Sequence, residues 1–209
     1  MHIPDGFLDV KTVSLTNAFS ILTLIYSIKK IIKKISPERV PLLGLSASFI
    51  FLIESISFPV PYGTSVHLLG AFFISLILGP FSSFFICFLS LFLQALILSH
   101  GGILTIGANS FNTLFISSIL GFYIYKFFFK IFPKFENIFI FSISIFTVCL
   151  GSFFVTLELS ISGKISFYKS FFPMIFSHFI AGIIEGIFTV FMINFLKKIK
   201  PEILKIEKI

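Results

Sequence analysis

The sequence predicts an all-α integral membrane protein, a compact bundle of about seven transmembrane helices, and three observations support this fold class. Hydrophobic residues make up 56% of the 209 residues, and only 12% are charged. The mean hydropathy is +1.07. Soluble domains carry about 25% charged residues, roughly twice this share. The length also accommodates six or seven spans of about 20 residues, so we expect one transmembrane domain over residues 1–209.

Apolar stretches bounded by Pro, Gly or Lys predict the individual helices. Seven stretches qualify as candidate spans: 13–32, 41–58, 66–79, 81–99, 107–126, 137–157 and 171–195. The third stretch is the shortest, because about 14 residues rise only about 21 Å against a hydrocarbon core of about 30 Å. An alternative is that it merges with the fourth stretch into one helix across Gly79 and Pro80.

The basic residues favour seven separate spans over the merged helix. Most of them form three clusters: Lys29 to Arg39, Lys126 to Lys134 and Lys197 to Lys208. With seven spans and an external N-terminus, these clusters place five, three and five residues on the cytoplasmic side, which is 13 of the 16. The merged helix leaves seven on that side and nine outside. Because Lys and Arg concentrate in cytoplasmic loops, we predict an external N-terminus and a cytoplasmic C-terminus.

We expect the protein to lie in the cell (inner) membrane, and this topology divides the chain into three parts. Residues 1–12 form an external N-terminal segment, residues 13–195 form the helical bundle, and residues 196–209 form a basic cytoplasmic tail. The segments that carry His67 and His100 fall on the same external side as residues 1–12. We therefore expect three of the four histidines to lie on one face of the membrane.

Several function classes are excluded by the sequence. The net charge of +7 does not indicate nucleic-acid binding, because the basic residues border apolar stretches instead of forming one continuous surface. Cys87 and Cys149 lie inside apolar stretches, where an isolated thiol behaves as a small hydrophobic residue. The opening residues MHIPDGFLDV lack the basic region of a secretory signal, so we expect this segment to remain in the mature protein.

The first two residues offer a chelating group for a metal ion. The Met1 amine, the His2 amide nitrogen and His2 Nδ1 would close a five-membered and a six-membered ring on one ion. Three nitrogens in one plane suit Ni(II) or Cu(II), and His67 is the best candidate for a fourth nitrogen on the same face. Binding must release protons, so we expect affinity to fall on acidification. The simpler alternatives are a chance Met-His start and a His67 that caps a helix.

Five ordered motifs resemble one family. They are MHIPDGFL at the start, PVPYGTSVHLLGAF, LGP at 78–80, QALILSHGGILTIGANSFN from Gln94, and HFIAGIIEGIFT from His178. Together they resemble the CbiM/NikM family of cobalt and nickel energy-coupling-factor transporters over most of the chain, with weaker support across 120–170. The resemblance implies metal ligation by Met1, His2 and His67. The HLLG sequence from His67 resembles the nickel branch more than the cobalt branch.

The resemblance also implies a division of labour between subunits. This chain would be the substrate-capture component, and Ni²⁺ or Co²⁺ would be its cargo, with no permanent cofactor. Its partners would be a transmembrane coupling subunit, cytoplasmic ATPase subunits and a small accessory membrane protein. The chain itself lacks a phosphate-binding loop, since its one Gly-Lys pair, Gly163-Lys164, is followed by Ile165.

Other polar residues have two interpretations each. Asp5 and Asn109 either hydrogen-bond a metal ligand or hold the loops together. His178 and Glu185 lie seven residues apart on one helical face, as an intramembrane functional pair or as a lock between helices. His100 is interpreted as a turn or rim residue. Glu54 receives no role from the sequence.

Two other functions compete with metal capture. A self-sufficient metal permease or channel should line a pore with several mid-membrane ligands, and His178 and Glu185 are the candidates. An intramembrane metal-dependent hydrolase is the remote alternative, but none of the four histidines opens an HExxH motif. We therefore predict a transporter subunit and no catalytic residues.

Overall fold

The computed structural model describes residues 2–33, 37, 40–60 and 64–204. The longer helices are α1 (Val10–Ile32), α2 (Val40–Ser55), α4 (Pro80–Ile97), α7 (Glu136–Ile161) and α8 (Phe167–Ile199). The shorter ones are α3 (Ala71–Leu78), α5 (Ile106–Asn109), α6 (Gly121–Ile131) and α9 (Pro201–Leu204). A π-helical stretch, Ser110–Leu120, joins α5 to α6, and one 3-10 turn, Pro133–Phe135, precedes α7.

The helices form a bundle with two distinct ends. The N-terminal end is where α1 begins, and it also holds the end of α7, because Ser162 bonds to Asp9 there. The opposite end is the basic end, where Tyr26 near the end of α1 contacts Phe81 at the start of α4. An ion pair between Lys197 and Glu136 joins α8 to α7 at the basic end.

Five helical segments of the described chain are long and apolar enough to cross a membrane. They are Val10–Ile32, Pro80–Ile97, Ile106–Ile131, Pro133–Ile161 and Phe167–Ile199. Large hydrophobic side chains remain exposed on their outer faces, including Leu22, Phe127 and Phe191. These surfaces require a lipid environment. The chain is a multi-pass membrane protein.

Two of the seven predicted spans are shorter than expected. The second is the 16-residue apolar helix α2. The third is the eight-residue helix α3, and seven of its residues are buried within the bundle. At about 1.5 Å per residue, α3 rises only about 12 Å. It is an interior helix of the bundle and does not match the length of a hydrocarbon core.

The third and fourth stretches form separate helices, as the charge distribution favoured. Gly79 stands between α3 and α4 with φ 86° and ψ 164°, a conformation that residues with a Cβ rarely adopt. Pro80 then occupies the first turn of α4, where its missing N–H costs no helical hydrogen bond. The Gly-Pro pair therefore ends one helix and begins the next.

Other predicted boundaries move by a few residues. The external segment was predicted to reach residue 12, but α1 begins at Val10 because Asp9 caps it and accepts a bond from Thr12 N. The last span was predicted over 171–195, but α8 runs from Phe167 to Ile199. The predicted tail is therefore partly helical at its start.

The predicted loop before the third span contains a β-hairpin. Strand β1 (Ser57–Val60) pairs antiparallel with β2 (Thr64–His67), and Ser57 stands opposite His67. The second predicted span was therefore wrong in extending to residue 58. Pro59 cannot donate an N–H to a continuing helix, so the chain leaves α2 and pairs as strands instead. The hairpin delivers His67 to the N-terminal end of the bundle.

Candidate metal-binding site

The N-terminal segment, residues 2–9, is packed onto the bundle by two apolar anchors. Ile3 and Leu8 are buried in one cluster with Ala108, Val155 and Leu159. Those partners belong to α5 and α7. Burying a side chain of this size stabilises the packed state by roughly 1.5–3 kcal/mol, so the two anchors hold the segment against the helices.

The main chain of Ile3 is held by four hydrogen bonds. Its N–H donates to Asn109 Oδ1 over 2.7 Å, and its carbonyl accepts from Asn109 Nδ2 over 3.0 Å. The same carbonyl accepts from Thr105 Oγ1 over 2.6 Å and from Gly102 N over 3.0 Å. Asn109 is buried, so these bonds are shielded from water. They fix the residue directly after His2.

Asp5 forms the second attachment of the segment. Its carboxylate accepts backbone N–H bonds from Ile103, Leu104 and Thr105 at 2.8–3.1 Å. Gly102 makes this close approach possible, because a Cβ at that position would lie 1.9 Å from Asp5 Oδ1. Both Asp5 and Asn109 therefore bind the N-terminal segment to the segment formed by residues 100–109.

These attachments bring three imidazole rings together, which we name the histidine cluster. The His2 ring stacks on the His67 ring with 4.6 Å between centroids and 9° between planes. The His100 ring lies 5.2 Å from His2 and 6.0 Å from His67, tilted against both. Residues from the N-terminal segment, the hairpin and the 100–109 segment thus meet at one place.

The ring nitrogens of the histidine cluster are poorly partnered. His67 Nδ1–H donates to the Leu68 carbonyl over 3.1 Å, which leaves Nε2 with a free lone pair. His67 Nε2 and both ring nitrogens of His2 are buried and have no hydrogen-bond partner among the described residues. Buried polar atoms are nearly always satisfied, so three unpartnered nitrogens at one place indicate a ligand site.

The protonation of the cluster suits metal binding. Burial is the largest cause that lowers the pKa of His67 to about 3, and the imidazoles of His100 and His178 make the smallest contributions. Burial and the neighbouring His67 ring also lower the pKa of His2. Both rings are therefore neutral near pH 7, and a neutral imidazole is the form that ligates a cation.

The side chains of the described residues do not complete a ligand set by themselves. Within residues 2–33, 37, 40–60 and 64–204, no group of three or more His, Cys, Asp or Glu side chains is arranged to hold a metal ion. Met1, the remaining predicted ligand, lies outside the described residues.

Comparison with known proteins places the chain in a family. Residues 2–203 match the family model described as the cobalt uptake substrate-specific transmembrane region, CbiM. The chain belongs to the CbiM cobalt uptake family. It is 28% identical to the putative fused nickel transport protein NikMN of Archaeoglobus fulgidus, over 98% of this chain and 68% of that protein. It is 30% identical to the cobalt transport protein CbiM of Thermosipho melanesiensis, over 95% and 87% of the two chains.

A solved structure has the same fold. A crystal structure of a transition metal transporter superposes with a TM-score of 0.86, at 29% sequence identity, over 95% of this chain and 93% of that one. The family resemblance of the five sequence motifs is thereby confirmed. The helical membrane fold predicted from composition is confirmed as well, with the β-hairpin as an addition.

His178 and Glu185, the predicted intramembrane pair, have separate partners in this CbiM-family chain. Glu185 accepts from Leu69 N over 2.9 Å and from Gly70 N over 2.8 Å. His178 Nδ1–H donates to the Met174 carbonyl over 2.8 Å. In the described part of the chain, no hydrogen bond or ion pair joins the two residues, so the helix lock that they were suggested to form is absent there.

The role of Glu185 could not be found in the sequence because its partners are main-chain groups 115 and 116 residues away. Its two bonds attach α8 to the turn between His67 and α3. The available signal was the cost of an intramembrane carboxylate, which identifies the residue as important and says nothing of its partner.

Two other buried carboxylates also have partners inside the bundle. Glu54 in α2 accepts from Gln94 Nε2 over 2.9 Å and from Ser90 over 3.3 Å, both in α4. Glu158 was predicted in a loop, but it lies in α7 and accepts from Asn112 over 2.6 Å. Both contacts join neighbouring helices.

Proposed function

We propose that this chain captures Ni²⁺ or Co²⁺ at the histidine cluster and delivers it across the membrane as the substrate-specific component of an ATP-driven energy-coupling-factor transporter. The observation that carries the proposal is the convergence of unpartnered, buried nitrogens of His2 and His67. Met1 would complete the set with its amine, and the His2 amide would supply the fourth nitrogen. Nickel is slightly preferred, on the HLLG sequence that begins at His67.

The geometry of the rings sets a requirement for binding. The lone pairs of an imidazole lie in the ring plane, and the stacked rings of His2 and His67 hold their planes 9° apart. Two nearly parallel planes do not direct lone pairs to one point. Metal binding must therefore turn one ring out of the stack, and His67 is the ring on the separate hairpin.

The names of the relatives support the choice of cargo and of partners. One relative is named a nickel transport protein and another a cobalt transport protein. The nickel relative is described as fused, which supports association of this module with further transporter components. Coupling and ATPase subunits, with a small accessory membrane protein, would supply the energy. Hydrolysis would then be a partner function, and this chain would not be an enzyme.

The positions of the charges support an external capture site. Lys29, Lys30, Lys197 and Lys198 lie in the last turns of α1 and α8, at the basic end. Basic residues at membrane borders favour the cytoplasmic side. The histidine cluster lies at the other end, which would then face outward.

Blocking the N-terminal amine tests this function. We expect the purified full chain to bind Ni²⁺ and Co²⁺ tightly when Met1 carries a free amine. N-terminal acetylation, or one added residue before Met1, should abolish tight binding while the protein still inserts and elutes as a folded species. Isothermal titration of both forms measures the difference. Equal affinity of the free and blocked forms would exclude the Met1 amine from the site.

A further inference from the structure

We propose that His178 Nε2 is a second, deeper ligand for the transported cation, which receives a divalent first-row metal from His67 as the N-terminal chelate releases it. This inference rests on the proposed function and extends it inward by one step. The transfer is a ligand exchange: metal–nitrogen bonds at the N-terminal segment break, a bond to His178 Nε2 forms, and no electron moves.

The hydrogen bonding of His178 leaves one nitrogen prepared for a metal. Nδ1–H donates to the Met174 carbonyl over 2.8 Å, so the neutral ring carries its lone pair on Nε2. That Nε2 is buried and has no hydrogen-bond partner within the described part of the chain, in a residue that is 3% exposed. An imidazole fixed through its Nδ1–H to a carbonyl, with Nε2 free, is the usual arrangement of a metal-ligating histidine.

His67 has the same arrangement. Its Nδ1–H donates to the Leu68 carbonyl, and its Nε2 is buried without a partner. Two imidazoles of the same tautomer therefore present unpartnered lone pairs in the interior. A buried acceptor without a donor destabilises the packed protein, and a cation bound by these nitrogens would offset that cost.

Helix α8 packs on the segment that carries His67. Ala181 shares a buried cluster with Val66 and Leu69, on either side of His67. One turn further along α8, Glu185 bonds to the main chain at Leu69 and Gly70. The helix thus follows the chain from Val66 to Gly70.

His178 lies three residues before Ala181 and seven before Glu185, so the three share one face of α8. Ala181 and Glu185 on that face contact the segment around His67. Met174, four residues before His178, packs against the cluster of Ile3 and Leu8, so His178 lies one helical turn further into the bundle than this contact.

The test blocks the N-terminal chelate of Met1 and His2, so that any remaining metal would be held by His67 and His178. The full chain with an added residue before Met1 is titrated with Co²⁺ alone, and the visible Co²⁺ absorption is recorded. We expect a weaker residual site with nitrogen-type ligand-field bands. His178→Ala and His67→Ala should each weaken it by at least about tenfold, since losing a ligand costs no less than losing a residue that orients one.

Thr189→Val is the matched control. Thr189 is also buried on α8 with an unpartnered hydroxyl, so its loss removes a polar group from the same helix without removing a nitrogen ligand. The control should leave the residual site unchanged. If His178→Ala does not insert, His178→Gln keeps an N–H toward Met174 and should lose the site equally.

The outcomes separate the two proposals. If the native chain with a free amine binds no metal, the proposed function fails. If the native chain binds tightly, two results would exclude His178 as a ligand and leave the proposed capture site unaffected. One is a blocked chain without a residual Co²⁺ site, and the other is a residual site that His178→Ala and His178→Gln leave unchanged.

Discussion

The buried histidines and the buried carboxylates of this chain differ in how their polar atoms are partnered. Glu185 has a main-chain donor for each carboxylate oxygen, and Glu158 accepts from Asn112. His2 and His67, in contrast, leave three buried ring nitrogens without a partner in the portion of the chain that the structure describes. Satisfied polar groups stabilise a fold, whereas unsatisfied ones at one place indicate a ligand. We therefore assign structural roles to Glu185 and Glu158 and cargo binding to the imidazoles, while Glu54 keeps one buried oxygen, Oε1, without a hydrogen-bond partner among the described residues.

The largest expected effect comes from removing one imidazole of the cluster. His67→Ala should weaken Ni²⁺ binding about 100-fold, because it removes a ligand and leaves a three-nitrogen chelate. His100→Ala is the matched control, since His100 lies in the same cluster and is not among the predicted ligands. It should change affinity less than about threefold. Titration of both variants with Ni²⁺ checks the pair, and equal losses would remove the distinction between His67 and His100.

Acidification should loosen the histidine cluster in the metal-free protein. The pKa of His67 is about 3 in the folded protein, against an ordinary value of 6.5. Because the pKa is lowered in the packed cluster, His67 binds more protons when the cluster is open. The packed cluster therefore loses stability as the pH falls from 6.5 toward 3. At pH 5 the loss is about 2 kcal/mol for this ring.

Hydrogen exchange measures this loosening. The amides of Ile3, Ile103 and Leu104, which hold the N-terminal segment, should exchange roughly 30-fold faster at pH 5 than at pH 7, after correction for the intrinsic rate. His67→Asn should remove the part of this dependence that His67 contributes. Exchange that is independent of pH in the unaltered chain would contradict the assignment.

Replacing Glu185, a carboxylate inside the bundle, should lower the stability of the fold but change the metal affinity little. Glu185→Gln keeps the shape but removes the charge from two bonds to main-chain N–H groups. Each charge-assisted bond contributes about 1.5–3 kcal/mol, so we expect a loss of about 2 kcal/mol. Thermal unfolding in detergent measures it. Ni²⁺ affinity should change less than about threefold, and a loss comparable to that of His67→Ala would class Glu185 with the ligands.

The smallest expected effect concerns the support of the cluster. Asn109→Ala removes two of the four hydrogen bonds to the Ile3 main chain. Because Ile3 follows His2, the chelate would lose its fixed position, and Ni²⁺ affinity should fall about tenfold. Ser110→Ala is a neighbouring control whose hydroxyl contacts Ser20 and Gly107 instead. A similar loss in both variants would indicate a general weakening of this end of the bundle.

Much of the fold follows from local features of the sequence. The composition and the apolar stretches predict a helical membrane protein, and the distribution of basic residues favours the break between α3 and α4. The β-hairpin was not predicted, because Pro59 and its neighbours are equally compatible with an irregular loop. The short length of α3 was also underestimated, since an interior helix need not match the thickness of the membrane. Orientation across the membrane stays a prediction.

The candidate site, like the fold, could be predicted from the sequence only in part. Alternation of spans predicts that His2, His67 and His100 share one end, and the structure brings their rings within 6.0 Å of one another. The bonds of Ile3 to Asn109 and of Glu185 to Leu69 involve main-chain groups more than 100 residues away. Every residue carries such groups, so no sequence pattern identifies which of them a side chain will meet.

X-ray absorption spectroscopy of the nickel-loaded full chain is the most direct test of metal capture by Met1, His2 and His67. We predict four nitrogen ligands in one plane, with imidazole scattering from His2 and His67. The bound ion should be the yellow, diamagnetic form of square-planar Ni(II). The imidazole contribution should fall by half in His67→Ala. A six-coordinate, oxygen-rich Ni²⁺ whose spectrum is the same in the unaltered chain and in His67→Ala would contradict it.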